Sequence, residues 1–293
     1  MKYFILLTVL MSSSALAKVS VLTTTTNLES IVKIIGAEHV SVHSFAKGTQ
    51  DPHYLEAKPS YTFKASKADL LVSIGLSLET GWLPLIIRGA RNPKLRVGQS
   101  GRLVASDFAK ILDVRSDAVS RAEGDVHPEG NPHFLLSPKN ALLVAKAVSN
   151  KLSEIDPKNK KSYQDNYLTF NTELSSKLTK WKSLIPSNLK VITYHKTLTY
   201  FYHEFGVSNV DMLESRPGIP PTASHIMKVI KKMKTQKLDK IIVENYFDTT
   251  VARRIQKSVK NVKISVVPVA VRGNDKVDTI IDLYDVLAHE LGK

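Results

Sequence analysis

Over the first part of the chain, apolar runs typical of buried strands alternate with segments whose apolar residues recur at helical spacing. The strand-like runs are 18–25, 40–45 and 68–74, and the helical patterns are 26–36, 60–67 and 78–88. A near-continuous apolar strand such as 68–74 is typical of a parallel sheet covered on both faces. Strands alternating with helices in this way predict parallel α/β units.

The same alternation returns after residue 190. It predicts strands at 191–194, 207–213, 239–243 and 263–269, and helices at 197–204, 222–233, 249–259 and 280–291. The stretch 91–131 within the first half is rich in Gly, Pro and charge, and its end reads as a loop. We therefore predict the α/β class, with two α/β lobes built on parallel sheets.

A single long helical pattern separates the two halves. Apolar residues recur at steps of three and four at Tyr163, Tyr167, Phe170, Leu174, Leu178, Trp181 and Ile185. A helix over 157–185 would be about 40 Å long at about 1.5 Å per residue. We expect a rigid linking helix at 156–186, between an N-terminal lobe at 18–155 and a C-terminal lobe at 187–293.

The start of the chain has the features of an export signal. Lys2 precedes an apolar run at 3–11, and Ala15-Leu16-Ala17 fits a small-x-small cleavage site, so 1–17 is predicted to be a cleaved signal peptide. The run is shorter than the ~20 residues of a membrane-spanning helix. The chain contains no cysteine, which argues against disulfides and a lipid-modified N-terminal cysteine. We expect a soluble periplasmic protein without a lipid anchor.

The charge of the chain changes this picture little. The formal net charge is +14, which could indicate nucleic acid or an anionic surface. The lysines are scattered, however, and no basic run is interleaved with aromatic residues. We therefore expect a solvated basic surface, no nucleic-acid partner and a monomer.

Two histidines stand in nearly identical proline-containing loops. His53 belongs to Asp51-Pro52-His53-Tyr54, and His133 to Asn131-Pro132-His133-Phe134. Proline fixes its own φ and restricts the residue before it, so both loops are stiff. A stiff loop suits metal coordination, because the ligands are held in place before the metal arrives.

Two more candidates stand at strand ends in the second half. His195 ends the apolar run 190–194, and Glu244 ends the strand at 239–243. Ligands of open parallel sheets bind at the carboxyl ends of strands, so His53, His133, His195 and Glu244 can meet between the lobes. Three imidazoles and one carboxylate suit tetrahedral Zn²⁺, whereas Mn²⁺ usually takes more oxygen ligands. Glu244 could instead cap a neighbouring helix or form an internal ion pair. His127 could be a ligand, a loosely held side chain that collects metal, or a surface residue.

Several short motifs together resemble one family of proteins. They are Asp51-Pro52-His53 with Pro59-Ser60, Ala68-Asp69-Leu70-Leu71, Gly81-Trp82-Leu83, Asn131-Pro132-His133 through Ser137-Pro138-Lys139-Asn140-Ala141, and His195 in its strand-to-helix turn. In these motifs, over nearly the whole mature chain, the sequence resembles the zinc and manganese solute receptors of ABC transporters, of the zinc-uptake receptor type.

The resemblance implies two α/β lobes joined by one long helix, with the metal in the cleft between them. It implies His53, His133 and His195 as the first three ligands, Zn²⁺ or Mn²⁺ as the transported ligand, and a membrane permease as partner. Many relatives have an aspartate after the last strand, but 266–272 holds no acid here. The fourth ligand is therefore expected to be Glu244, then His127, then water.

Two other functions are compatible with a cluster of histidines. Three histidines with an open position could serve a zinc hydrolase, but the chain has no His-Glu-x-x-His or Gly-x-Ser-x-Gly sequence. A haem or siderophore receptor would need a large aromatic- or arginine-lined pocket rather than three fixed histidines. We therefore expect a binding protein and not an enzyme.

Overall fold

The computed structural model describes residues 18–116, 124, 126–216 and 218–293; the predicted signal segment 1–17 lies outside these ranges. The N-terminal elements are β1 (Val19–Thr23), α1 (Thr26–Gly36), β2 (Val40–Ser44), α2 (Pro59–Lys67), β3 (Leu70–Ser73), α3 (Leu83–Ala90), β4 (Arg102–Val104) and α4 (Pro138–Ile155). They are followed by α5 (Lys160–Leu184), β5 (Lys190–Thr193), α6 (Thr199–Phe205), β6 (Ser208–Met212), α7 (Ala223–Gln236), β7 (Lys240–Glu244), α8 (Thr250–Ser258), β8 (Lys263–Val267) and α9 (Ile280–Gly292).

The strands form two parallel sheets with the same topology. The first sheet has the order β2-β1-β3-β4 and the second the order β6-β5-β7-β8. Every strand pairing in both sheets is parallel. The predicted α/β class with two parallel-sheet lobes is confirmed.

Two local predictions were wrong. Strand β4 at Arg102–Val104 was not predicted at all. Helix α3 begins at Leu83 rather than residue 78, because residues 78–82 form turns that follow two residues with left-handed backbone, Leu76 and Ser77.

Helix α5 is the long helix that the sequence predicted. It has 25 residues and follows a short turn at Pro157–Asn159. Its buried side chains are Tyr163, Phe170, Leu174 and Trp181. The helix packs on α1 and α4 of the first lobe and on α9, so its apolar stripe contacts elements from both ends of the chain.

The chain after β8 returns to the first lobe. The Asn27 side chain donates to the Val269 carbonyl oxygen (3.2 Å) and accepts from the Val271 backbone N–H (2.8 Å). The Ile280 backbone N–H donates to Ser30 Oγ at 2.9 Å. One apolar core continues from β1 through α5 to α9. In the ranges described, no helix is both long and apolar enough to cross a membrane.

Candidate metal centre

The loop after β2 fixes His53 in two ways. Asp51 Oδ1 accepts from the His53 backbone N–H at 3.0 Å and from the ring Nδ1 at 2.6 Å. The Trp82 indole N–H donates to the Pro52 carbonyl oxygen at 3.0 Å. A carboxylate can only accept, so Nδ1 of His53 carries the hydrogen and Nε2 presents its lone pair.

His133 is held where the two lobes meet. Asn131 Oδ1 accepts from the His133 backbone N–H at 3.0 Å, and the Asn131 side-chain amide donates to the Lys196 carbonyl oxygen at 3.1 Å. The Tyr200 hydroxyl donates to the Asn131 carbonyl oxygen at 2.7 Å. The ring atom Nε2 of His133 is buried and has no hydrogen-bond partner among the described residues. Buried polar atoms normally have a partner, so the unpaired Nε2 of His133 favours a bound ligand at this nitrogen.

His195 lies two residues beyond the end of β5 and is 7% exposed. Its Nδ1 donates to Glu214 Oε2 at 2.8 Å, and the same oxygen accepts from the Gly218 backbone N–H at 3.2 Å. This contact with Glu214 fixes the ring and leaves Nε2 as the lone-pair nitrogen. The sequence reasoning missed Glu214, which follows β6 without any motif.

The structure brings the three predicted histidines together. The ring centroids of His53 and His133 are 5.5 Å apart, those of His133 and His195 are 5.7 Å apart, and those of His53 and His195 are 6.3 Å apart. His53 and His133 belong to the first lobe and His195 to the second. The cluster therefore lies between the lobes, as the sequence predicted.

His127 joins the cluster as a fourth imidazole. Its ring centroid is 5.1 Å from that of His53, and the two Nε2 atoms are 3.0 Å apart. Its Nδ1 donates to the Leu76 carbonyl oxygen at 2.7 Å. A carbonyl oxygen only accepts, so His127 also presents the Nε2 lone pair toward His53.

The Nε2 atoms of His53 and His127 face each other at 3.0 Å, while both Nδ1 atoms are bonded to acceptors. Two imidazoles that present lone pairs to the same point are suited to binding a metal cation.

The cluster must open slightly to take a metal ion. Two nitrogens bound to one tetrahedral zinc at about 2.0–2.1 Å lie about 3.3 Å apart, whereas the His53 and His127 Nε2 atoms are 3.0 Å apart. In the described ranges no group of three or more His, Cys, Asp or Glu side chains stands in a geometry that could hold a metal ion. For the His53 and His127 pair, the Nε2 atoms have to separate by only a few tenths of an ångström to reach the tetrahedral spacing.

Electrostatics keep His133 neutral. Burial lowers the pKa of His133 well below its usual range, and the charges of His53, His195 and His127 lower it further. Burial alone would raise the pKa of Asp51, but the hydrogen bonds and charge of His53 outweigh it and the pKa is lowered. A neutral His133 and an ionised Asp51 held against His53 suit a divalent cation, because metal ligands must be deprotonated.

Glu244 contacts the backbone of His195. Its Oε1 accepts from the His195 backbone N–H at 3.3 Å, and its fully buried Oε2 has no partner among the described residues. Burial raises the pKa of Glu244 to about 8, although the hydrogen bonds from Thr197 and the His195 backbone lower it in part. Its recorded contacts support the turn that carries His195.

Replacing Glu244 by glutamine should stabilise the metal-free protein at alkaline pH. The folded pKa is about 8, whereas an unfolded glutamate titrates near ~4.3. Between these values the unfolded chain gives up the proton first, so the wild type loses stability as pH rises. Urea unfolding at pH 8.5 should show Glu244→Gln more stable by on the order of 4 kcal/mol, and no change for the exposed control Glu173→Gln. Equal stability of Glu244→Gln and wild type at pH 8.5 would contradict the buried carboxyl.

The fold and the histidine cluster define a metal-binding substrate receptor of ABC transporters, which works outside the cytoplasm. A family model described as the zinc-uptake complex component A, periplasmic, matches residues 21–293. The chain belongs to that family.

Proteins of similar sequence are named as substrate-binding proteins of metal transporters. The manganese ABC transporter substrate-binding lipoprotein PsaA of Streptococcus pneumoniae is 27% identical over 253 residues, covering 84% of this chain and 78% of its own. The metal ABC transporter substrate-binding lipoprotein FimA of Streptococcus parasanguinis has the same identity and coverage. These relatives are receptors for metal transporters.

Solved structures share the fold. A crystal structure of ZnuA has a TM-score of 0.77 at 20% identity, covering 94% of this chain and 98% of its own. A manganese-bound point mutant of a periplasmic metal-binding protein from Candidatus Liberibacter asiaticus has a TM-score of 0.76 at 21% identity, with 94% and 98% covered. At this identity the likeness establishes the two-lobed architecture.

Proposed function

We propose that the protein captures Zn²⁺ in the periplasm through His53, His127, His133 and His195 and delivers it to the permease of an ABC transporter. The observation that carries the proposal is the convergence of four imidazoles between the lobes. Three of them have Nδ1 bonded to an acceptor, and the fourth has a buried Nε2 without a partner among the described residues. Zn²⁺ takes such nitrogen ligands readily.

His127 is proposed as the fourth ligand ahead of Glu244. The sequence reasoning ranked the two in the opposite order. The Nε2 contact of His127 with His53 supports His127, whereas the Glu244 carboxylate is engaged with the His195 backbone. The position of Glu244 supports a role in holding the His195 turn.

Manganese is the second candidate, because the relative PsaA is named for manganese. The four ring nitrogens favour zinc, since Mn²⁺ prefers oxygen-rich, higher-coordinate sites. The test is elemental analysis of protein purified without added metal, followed by competitive titration of the stripped protein with both ions. We expect one zinc per chain and at least about 100-fold weaker binding of manganese. Copurified manganese that zinc displaces poorly would contradict the assignment.

A hydrolase is disfavoured by the same four rings. A catalytic zinc keeps a position open for water beside three protein ligands. With His127 as a fourth ligand the tetrahedral shell is complete, so no activated water remains. We propose a binding protein without catalytic activity.

Release to the permease follows from the distribution of the ligands. Three histidines belong to the first lobe and its following loop, and His195 alone belongs to the second. A small separation of the lobes therefore removes one ligand of four. We propose a monomer whose export is directed by segment 1–17, which is then cleaved.

Only small movement is expected when zinc binds. Helix α5 contains no internal Pro or Gly at which it could bend. Its buried apolar side chains and the packing of α9 against it connect the lobes. A wide rotation of one lobe against the other would therefore break packed contacts. Small-angle X-ray scattering should show the radius of gyration, about 19 Å for a compact chain of this length, changing by less than about 0.5 Å. A fall of several ångströms in the radius of gyration on adding zinc would refute the rigid connection. The control is the same measurement on His195→Ala with zinc.

A further inference from the structure

A second cavity lies in the N-terminal lobe, apart from the four histidines. It has a volume of about 670 Å³ and lies between α3, the stretch that follows α3, and the ends of β3 and β4. None of the four histidines lines it. This volume is within the range of small-molecule sites.

Four arginines line this cavity: Arg88, Arg91, Arg96 and Arg102. Arg102 Nη2 donates to Ser73 Oγ at 2.9 Å, but its Nε and Nη1 are buried without a partner in the described ranges. Buried guanidinium donors are normally satisfied, because leaving them unpaired costs free energy. The arginines therefore provide donors for an acceptor that enters the cavity.

The one acidic residue among the described lining does not cancel this charge. Glu79 accepts from the backbone N–H of Ile74 at 2.7 Å and of Gly75 at 3.1 Å. Burial raises the pKa of Glu79, although these hydrogen bonds and the charge of Arg102 lower it in part. Its carboxyl is thus engaged by backbone donors, and the wall of the cavity stays positively charged.

The remaining wall is largely apolar, with Leu83, Ile87, Val97 and Val104. Val97 is 76% exposed, and an organic group in the cavity would cover such surface. We propose that this cavity binds a small organic oxyanion, a carboxylate or phosphate attached to an apolar body, with the charged group on Arg102 and Arg88. A planar guanidinium pairs two oxygens of such a group at once.

Calorimetric titration of the metal-free protein tests the proposal with phenyl phosphate, benzoate and inorganic phosphate as probes. We expect saturable one-to-one binding of phenyl phosphate or benzoate with a Kd below about 1 mM. Inorganic phosphate should bind at least about tenfold more weakly, because it covers no apolar surface. Absence of saturable binding by both organic probes, or equal binding of inorganic phosphate, would overturn the proposal.

Variants localise the binding. Arg102→Met and the surface variant Arg88→Gln should each weaken phenyl phosphate or benzoate binding at least about tenfold, the usual loss for one charged hydrogen bond. The exposed control Arg254→Gln should bind as the wild type. Unchanged binding in Arg88→Gln, which keeps the buried Arg102 and the fold, would refute the site. Zinc titration of each variant should match the wild type, which separates this site from the histidine cluster.

Discussion

Replacing His133 by alanine should lower the zinc affinity by more than about 100-fold. Substituting partners of metal ligands already costs about 10–100-fold, and losing one of four direct ligands removes a bond that the site cannot replace. The same loss is expected for His53→Ala and His195→Ala. Competitive titration against a chelator of known affinity measures these changes, with circular dichroism to confirm that each variant is folded.

Two further variants decide the fourth ligand. His127→Ala should also lose more than about tenfold in zinc affinity, whereas Glu244→Gln should stay within about threefold of the wild type. The exposed His289, whose side chain is 66% accessible, provides the control His289→Ala, which should bind zinc normally. If His127→Ala binds zinc with wild-type affinity and Glu244→Gln loses much of its zinc affinity, Glu244 and not His127 is the fourth ligand.

Zinc affinity should fall steeply below about pH 6. Ligating imidazoles must be neutral, and an ordinary histidine titrates near ~6.5, so protons compete with the metal. Each proton that zinc displaces lowers the affinity about tenfold per pH unit. Titrations at pH 7, 6 and 5 measure the slope, and a flat affinity over this range would mean that histidines are not the main ligands.

The metal-free protein should lose stability over the same pH range. The pKa of His133 is lowered well below its usual range by burial, while in the unfolded chain it is near ~6.5. Below ~6.5 the unfolded chain therefore binds the additional proton first, and stability falls as pH falls. Urea unfolding of metal-free protein should show this loss, and saturating zinc at pH 7 should raise the midpoint.

The sequence predicted the two lobes because their signals are local. Parallel strands buried on both faces are apolar along their length, and α5 repeats its apolar residues at helical spacing over 25 residues. Strand β4 has only three residues, and it is a strand because it pairs with β3 at the sheet edge. That pairing depends on tertiary contacts, which a short run in a charged, glycine-rich stretch does not reveal.

Residues next to the histidines were harder to predict than the histidines. Proline-containing loops identified His53 and His133, whereas Glu214 reaches His195 only because β6 pairs with β5 and both strands end at the same edge. His127 was left open because its role depends on Leu76, 51 positions away. The ranking of Glu244 as a ligand stays a prediction, because a strand end indicates the site edge but not the direction of a side chain.

The most direct test of the central claim is X-ray absorption spectroscopy of the protein loaded with one equivalent of zinc. Four nitrogen neighbours are expected at about 2.0–2.1 Å, with the outer-shell scattering of imidazole rings. His127→Ala should show one imidazole fewer. A spectrum with fewer than three imidazoles in the wild type, or one dominated by oxygen neighbours, would contradict the four-histidine site.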